Sequence, residues 1–215
     1  MTIQELHKAT LTAELQASIT PEMAKELLKL GNQLFVDEKL LGRELIAQVK
    51  QTTSGQFPHS VILSCIDSRI PTEIVFNQGV GDVFNARVAG NIVNADILGS
   101  IEYGCKVAGS KLVVVMGHTG CGAVKGACDH VELGNITHLL DNIMPAVNAV
   151  ETPEGVERNS KNAAFVNAVS KRNVELTIKK LRRNSPVLSE MEENGEIDIV
   201  GAMYDIGTGK VTFYD

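Results

Sequence analysis

The 215-residue chain has no tryptophan, only three tyrosines and six phenylalanines, and no basic cluster larger than pairs such as Lys179–Lys180 and Arg182–Arg183. With a formal charge of −6, it is poorly equipped for nucleic acid, because such pairs on a helix form a solvated face. It also lacks an apolar run near the roughly 20 residues that span a bilayer. The opening MTIQELHKATLTAEL has neither the charged start nor the apolar middle of a secretory leader. These absences predict a cytoplasmic chain without a membrane partner. Cysteine is scarce too: Cys65, Cys105, Cys121 and Cys128 read as reduced thiols serving as metal ligands, nucleophiles or core filler, in preference to two disulfides.

What is present is an ordinary core. The chain is 44% hydrophobic with a mean hydropathy of +0.04, enough for a single folded domain over residues 1–215. Short apolar runs, VILSC, DVFNARV and KLVVVMGH, alternate with helix-period segments such as ADILGSIEYGCKVAG. Runs of that kind suit strands buried on both faces. They predict an α/β fold, a mostly parallel β-sheet flanked by helices. The tail IDIVGAMYDIGTGKVTFYD reads as a strand pair that adds an antiparallel C-terminal edge strand. Residues 151–162 read as an exposed loop and 163–183 as a helix with a basic last turn. Near the start, Thr20 is a fitting N-cap, Pro21 a first helical residue and Gly31 a stop. Residues 1–35 therefore read as a helical N-terminal arm, of a kind that packs on a partner subunit.

The stretch GHTGCGAVKG invites a nucleotide-phosphate reading. A P-loop fails, because Gly122 is followed by Ala123 and Val124 where Lys and Ser or Thr are required. A dinucleotide fingerprint survives only in the loose form that ends at Gly126. The alternative is a metal turn, since His118 and Cys121 in an H-x-x-C spacing can face one ion. A third donor, Cys65, ends another apolar strand, and parallel strands deliver their C-terminal ends to one sheet edge. Two thiolates and an imidazole suit tetrahedral Zn²⁺ with an open fourth position. Asp67 and Arg69 follow Cys65 closely. Beside such a site an Asp can be the fourth ligand or, held by an Arg fork, can accept a hydrogen bond from metal-bound water and aim its lone pair.

Through CIDSR and HTGC the sequence resembles the β-class carbonic anhydrases, whose C-x-D-x-R and H-x-x-C motifs are both intact. The likeness extends through GQFPHSVILSCIDSRIP, GDVFNARVAGNIV and GAMYDIGTGKV. It implies reversible hydration of CO₂ to bicarbonate and a proton by zinc-bound hydroxide, in a homodimer or a dimer of dimers. Cys65, His118 and Cys121 are the implied metal ligands, and Asp67 and Arg69 the implied catalytic pair. The implied substrate pocket is Gln56, Phe84, Ala89, Tyr103 and the Gly122 amide, with Gln56 and Phe84 reaching a partner's site. A bicarbonate-inhibited subgroup keeps a tryptophan where this chain has Ile62. Although Arg87 is present, the expectation is the ungated form, with Asp67 on Arg69 and water on zinc. Hydrolysis of carbonyl sulfide or carbon disulfide, a non-catalytic zinc-binding role and a dinucleotide-binding domain are the competing readings. Cys105, Cys128 and Met116 read as core, and His7, His59, His130 and His138 have no partner spacing.

Overall fold

The apolar runs become strands because helices cover both faces of the sheet they form. The structure is a computed structural model that describes residues 1–214. Its strands are β1 (Ser60–Ser64), β2 (Val83–Arg87), β3 (Leu112–His118), β4 (Asp198–Tyr204) and β5 (Val211–Tyr214). They lie in the order β2-β1-β3-β4-β5. All neighbours are parallel except β4 with β5, which is the antiparallel edge expected from the tail. Every residue of β1 and β3 is buried, so these strands carry unbroken apolar sequence instead of alternation.

The helices are α1 (Ile3–Lys8), α2 (Ala13–Ser18), α3 (Pro21–Val36), α4 (Leu45–Gln51), α5 (Thr72–Val75) and α6 (Ala95–Glu102). They continue with α7 (Gly122–Cys128), α8 (Gly134–Asp141), α9 (Met144–Ala149), α10 (Ala163–Asn184) and α11 (Pro186–Glu193). One core joins Ile62, Val114, Met116 and Val200 to Leu27 and Leu28 of α3, Phe76 and Val124 of α7. The other joins Val61, Leu63, Val113 and Val115 to Ile101, Cys105 and Leu188. Helix α10 belongs to both: Phe165, Val166 and Val169 lie in the first core, and Val174, Ile178 and Leu181 in the second. It comes close to the end of β3 because Gly117 has no side chain; a Cβ there would crowd Val174 and Met203.

Helix α3 begins as its sequence signals, with the Thr20 hydroxyl accepting from the Met23 amide and proline in the first turn. It does not stop at Gly31. The helix runs on to Val36, and the glycine serves packing: a Cβ at that position would overlap the carbonyl oxygen of Phe76. The arm is tied to its own chain by buried amides. Gln16 Nε2 donates to the carbonyls of Pro58 and Ala108, each at 2.8 Å. Asn32 donates to the carbonyls of Val75 and Gly209 and accepts from the Val211 amide at 2.7 Å.

For the site, the decisive feature is register. Ser64 on β1 pairs with Met116 on β3, so the residues after both strands emerge together at one sheet edge.

Candidate metal centre

Cys65 is the first residue beyond β1 and His118 the last of β3. Two residues further, Gly120 turns the chain with φ +65°, a conformation glycine adopts without Cβ strain. That turn brings Cys121 back as the N-cap of α7. The Cys65 and Cys121 sulfurs lie 4.0 Å apart, and with a His118 ring nitrogen they form a group whose donor atoms all fall within 4.8 Å of one another. All three residues are buried.

His118 Nδ1 lies 3.0 Å from the Thr119 carbonyl oxygen. A carbonyl only accepts, so Nδ1 carries the proton and Nε2 keeps its lone pair. That Nε2 is buried and has no hydrogen-bond partner among the described residues. An unpaired buried acceptor costs free energy, and here it faces the two sulfurs. Cys65 Sγ also accepts from the Gly90 amide at 3.3 Å. The thiols titrate as a pair. The hydrogen bond from Cys121 draws Cys65 toward the thiolate. The same bond, together with burial and the neighbouring charge, pushes Cys121 up. The first proton of the pair therefore leaves more readily than the second.

The carboxylate beside this group is firmly held. Arg69 donates to Asp67 through Nε at 2.9 Å, Nη2 at 2.7 Å and its backbone amide at 2.9 Å. This fork holds the Asp67 carboxyl well below the usual carboxylate range. Asp67 Oδ2 stands 4.0 Å from His118 Nε2, beside the donor group but engaged by arginine. Arg87 fixes the loop from β2, donating to the carbonyls of Cys65 at 2.9 Å and Asp67 at 2.6 Å.

A family model described as carbonic anhydrase matches residues 60–211, a span that holds both strand ends, the donor group and the Asp67–Arg69 fork. The chain belongs to the β-class carbonic anhydrases. Among curated relatives, carbonic anhydrase 2 of Mycobacterium tuberculosis is 33% identical over 205 residues, covering 91% of this chain and 93% of the relative. The carbonic anhydrase of Pseudomonas aeruginosa is 27% identical over 172 residues, 77% of each chain. Among solved structures, a β-carbonic anhydrase of Aspergillus fumigatus superposes with a TM-score of 0.66 at 28% identity, covering 79% of this chain and 82% of that one. One of two tetrameric β-carbonic anhydrases of Sordaria macrospora gives 0.66 at 25% identity, over 76% and 84%.

The carbonic anhydrase pocket residues expected from the sequence do not all meet in one chain. Ala89 adjoins Gly90, whose amide touches Cys65, and Gly122 follows Cys121 directly. Gln56 is exposed and precedes β1, so it lies toward the opposite end of the strand from Cys65. Phe84 is level with Val61, packs edge-on against Tyr103 at 6.2 Å, and belongs to the core on the other sheet face. Two contributors to the site carried no signal in the sequence: the Gly90 amide and the Thr119 carbonyl. Both are backbone groups delivered by the tertiary path.

Proposed function

We propose that this chain catalyses the zinc-dependent, reversible hydration of CO₂ to bicarbonate and a proton. The observation that carries the reading is the buried, unpaired Nε2 of His118 facing two sulfurs, with Asp67 held aside by Arg69. The donor set fits zinc: tetrahedral angles and Zn–S bonds of about 2.3 Å place two sulfurs about 3.8 Å apart, against 4.0 Å here. Bound by Cys65, His118 and Cys121, zinc would supply a Lewis acid that lowers the pKa of a water molecule and makes it a nucleophile near neutral pH.

The protein's own groups then set direction. Asp67, kept ionised by Arg69, accepts the hydrogen bond from the nucleophile and turns its lone pair toward carbon. Arg69 acts through Asp67, and Arg87 holds the backbone carbonyls of Cys65 and Asp67. The Gly122 amide, next to Cys121 in the chain, would donate to a developing bicarbonate oxygen, a charge best met by a preorganised N–H. Ala89, beside Gly90, would line the near wall. Gln56, Phe84 and Tyr103 would complete the pocket across a subunit boundary, which makes the active species a homodimer or a dimer of dimers. The exposed apolar side chains of Leu40, Leu45, Ile46, Val49 and Ile74 are surface of the kind that subunits cover, and the outer side of the N-terminal arm would join that contact. No helix of the described residues is long and apolar enough to cross a membrane; the proposed place of action is the cytoplasm.

Removal of zinc by a chelator is expected to abolish CO₂ hydration, and one equivalent per chain to restore it. Cys121→Ser should remain inactive at any zinc concentration. Full activity in metal-free protein, or none in protein holding one zinc per chain, would overturn the reading.

A further inference from the structure

Two asparagines on one helix reach the turn between His118 and Cys121 and the loop whose amide hydrogen-bonds Cys65. Asn173 of α10 is 2% exposed, and its Nδ2 donates at 2.8 Å to the carbonyl of Gly90. Gly90 is the residue whose amide points at Cys65 Sγ. It sits at φ +70°, and a Cβ there would collide with Ile143, so the loop depends on glycine and on whatever pins it. About one and two-thirds turns earlier on the same helix, Asn167 Oδ1 accepts at 3.0 Å from the amide of Gly120, the left-handed residue between His118 and Cys121. The two bonds have opposite polarity. Asn173 serves as a donor to one loop and Asn167 as an acceptor from the other.

We propose that Asn167 and Asn173 of α10 are positioning residues that set the metal site, one holding the H-x-x-C turn and the other holding the amide that hydrogen-bonds Cys65. The inference rests on the zinc reading above. Its physical content is that an N–H bonded to a thiolate draws electron density from sulfur. With two thiolates on the metal, that withdrawal tunes how strongly the site polarises what it binds. Outer-shell groups of this kind typically change metal affinity by about 10- to 100-fold when removed. The attachment points are rigid, because α10 is anchored in both cores and Ser170, between the two asparagines, bonds back to the Val166 carbonyl instead of to the site.

The opposite polarities give a crossed test. Asparagine to aspartate keeps shape and acceptor but removes the donor. Asn167→Asp should therefore bind zinc much as the parent does, whereas Asn167→Ala should lose about 10- to 100-fold in affinity. At 173 the aspartate itself should fail by a similar factor. Because a buried carboxylate can unfold a chain, Asn173→Leu, uncharged and of similar size, decides that position if Asn173→Asp does not fold. Affinity is read by chelator competition on full-length protein. The cobalt-substituted forms provide a second readout, since the sulfur-to-cobalt charge-transfer band should shift in the 173 variants and stay in place in Asn167→Asp. Thermal melts of the metal-free proteins separate folding from metal binding. Unchanged affinity and an unchanged band in folded Asn173→Leu and Asn167→Ala would overturn the proposal. Tight zinc binding by the parent without CO₂ hydration would instead remove the functional reading and leave this one standing.

Discussion

At the scale of single residues, the site is a competition for one carboxylate. Asp67 lies within 4.0 Å of the ring nitrogen that faces the donor group, yet its hydrogen bonds go to Arg69. Its folded-state pKa is depressed by that arginine, so the stabilisation is fully present above the unfolded-state value near 3.9 and is lost only as pH falls below it. Asp67 therefore does not titrate around neutrality. Asp67→Asn is expected to lower kcat/KM for CO₂ by about 10- to 100-fold, by the same factor at neutral and alkaline pH. A loss confined to one end of the pH range, seen in stopped-flow initial rates, would assign Asp67 another role. The three donor residues and this pair were legible in the sequence because each motif follows an apolar strand run. The groups that bond them were not. A backbone amide such as that of Gly90 has no sequence signature, and a buried asparagine such as Asn173 looks like any polar residue in a helix.

At the scale of elements, the apolar runs announced β1 and β3 because both faces of these strands are covered, DVFNARV announced the partly buried edge strand β2, and the tail announced its antiparallel pair by alternation. Glycine was harder to read, since the same residue ends helices and permits close contact. Gly31 illustrates the second use. Alanine is the better helix former by about 1 kcal/mol, yet Gly31→Ala should destabilise by about 1–3 kcal/mol, as overpacking does, because the obstacle is the Phe76 backbone oxygen and not a movable side chain. Gly99 in α6 has nothing near its missing Cβ. Gly99→Ala should accordingly stabilise by about 0.4–1 kcal/mol. Urea midpoints at constant slope would check both signs, and a stabilised Gly31→Ala would show that α3 does not press on Phe76.

At the scale of the whole molecule, sequence pattern gave the class of fold but not the strand order, which depends on which crossover helices cover which face. Nor did it show that the arm's apolar side chains Leu6, Ile19, Leu27 and Leu28 are buried against their own chain, because helical periodicity marks an apolar face without naming its cover. The proposed division of the pocket between subunits belongs to this scale. With Gln56 and Phe84 remote in topology from the donor group, a mixed dimer of Gln56→Ala and Asp67→Asn chains should be well above either variant alone in activity, through the one site that receives Gln56 from one chain and Asp67 from the other. Absence of recovery in verified mixed dimers would confine the site to one subunit.

The central claim is that zinc on Cys65, His118 and Cys121 activates water while Asp67 stays with Arg69. Stopped-flow CO₂ hydration with a pH indicator, on protein of known zinc content from about pH 6.5 to about pH 9, tests it most directly. The account predicts substantial turnover already near neutrality, rising smoothly with pH. Turnover that appears steeply and only at the alkaline end would contradict it, because Asp67 would then be closing the metal at neutral pH.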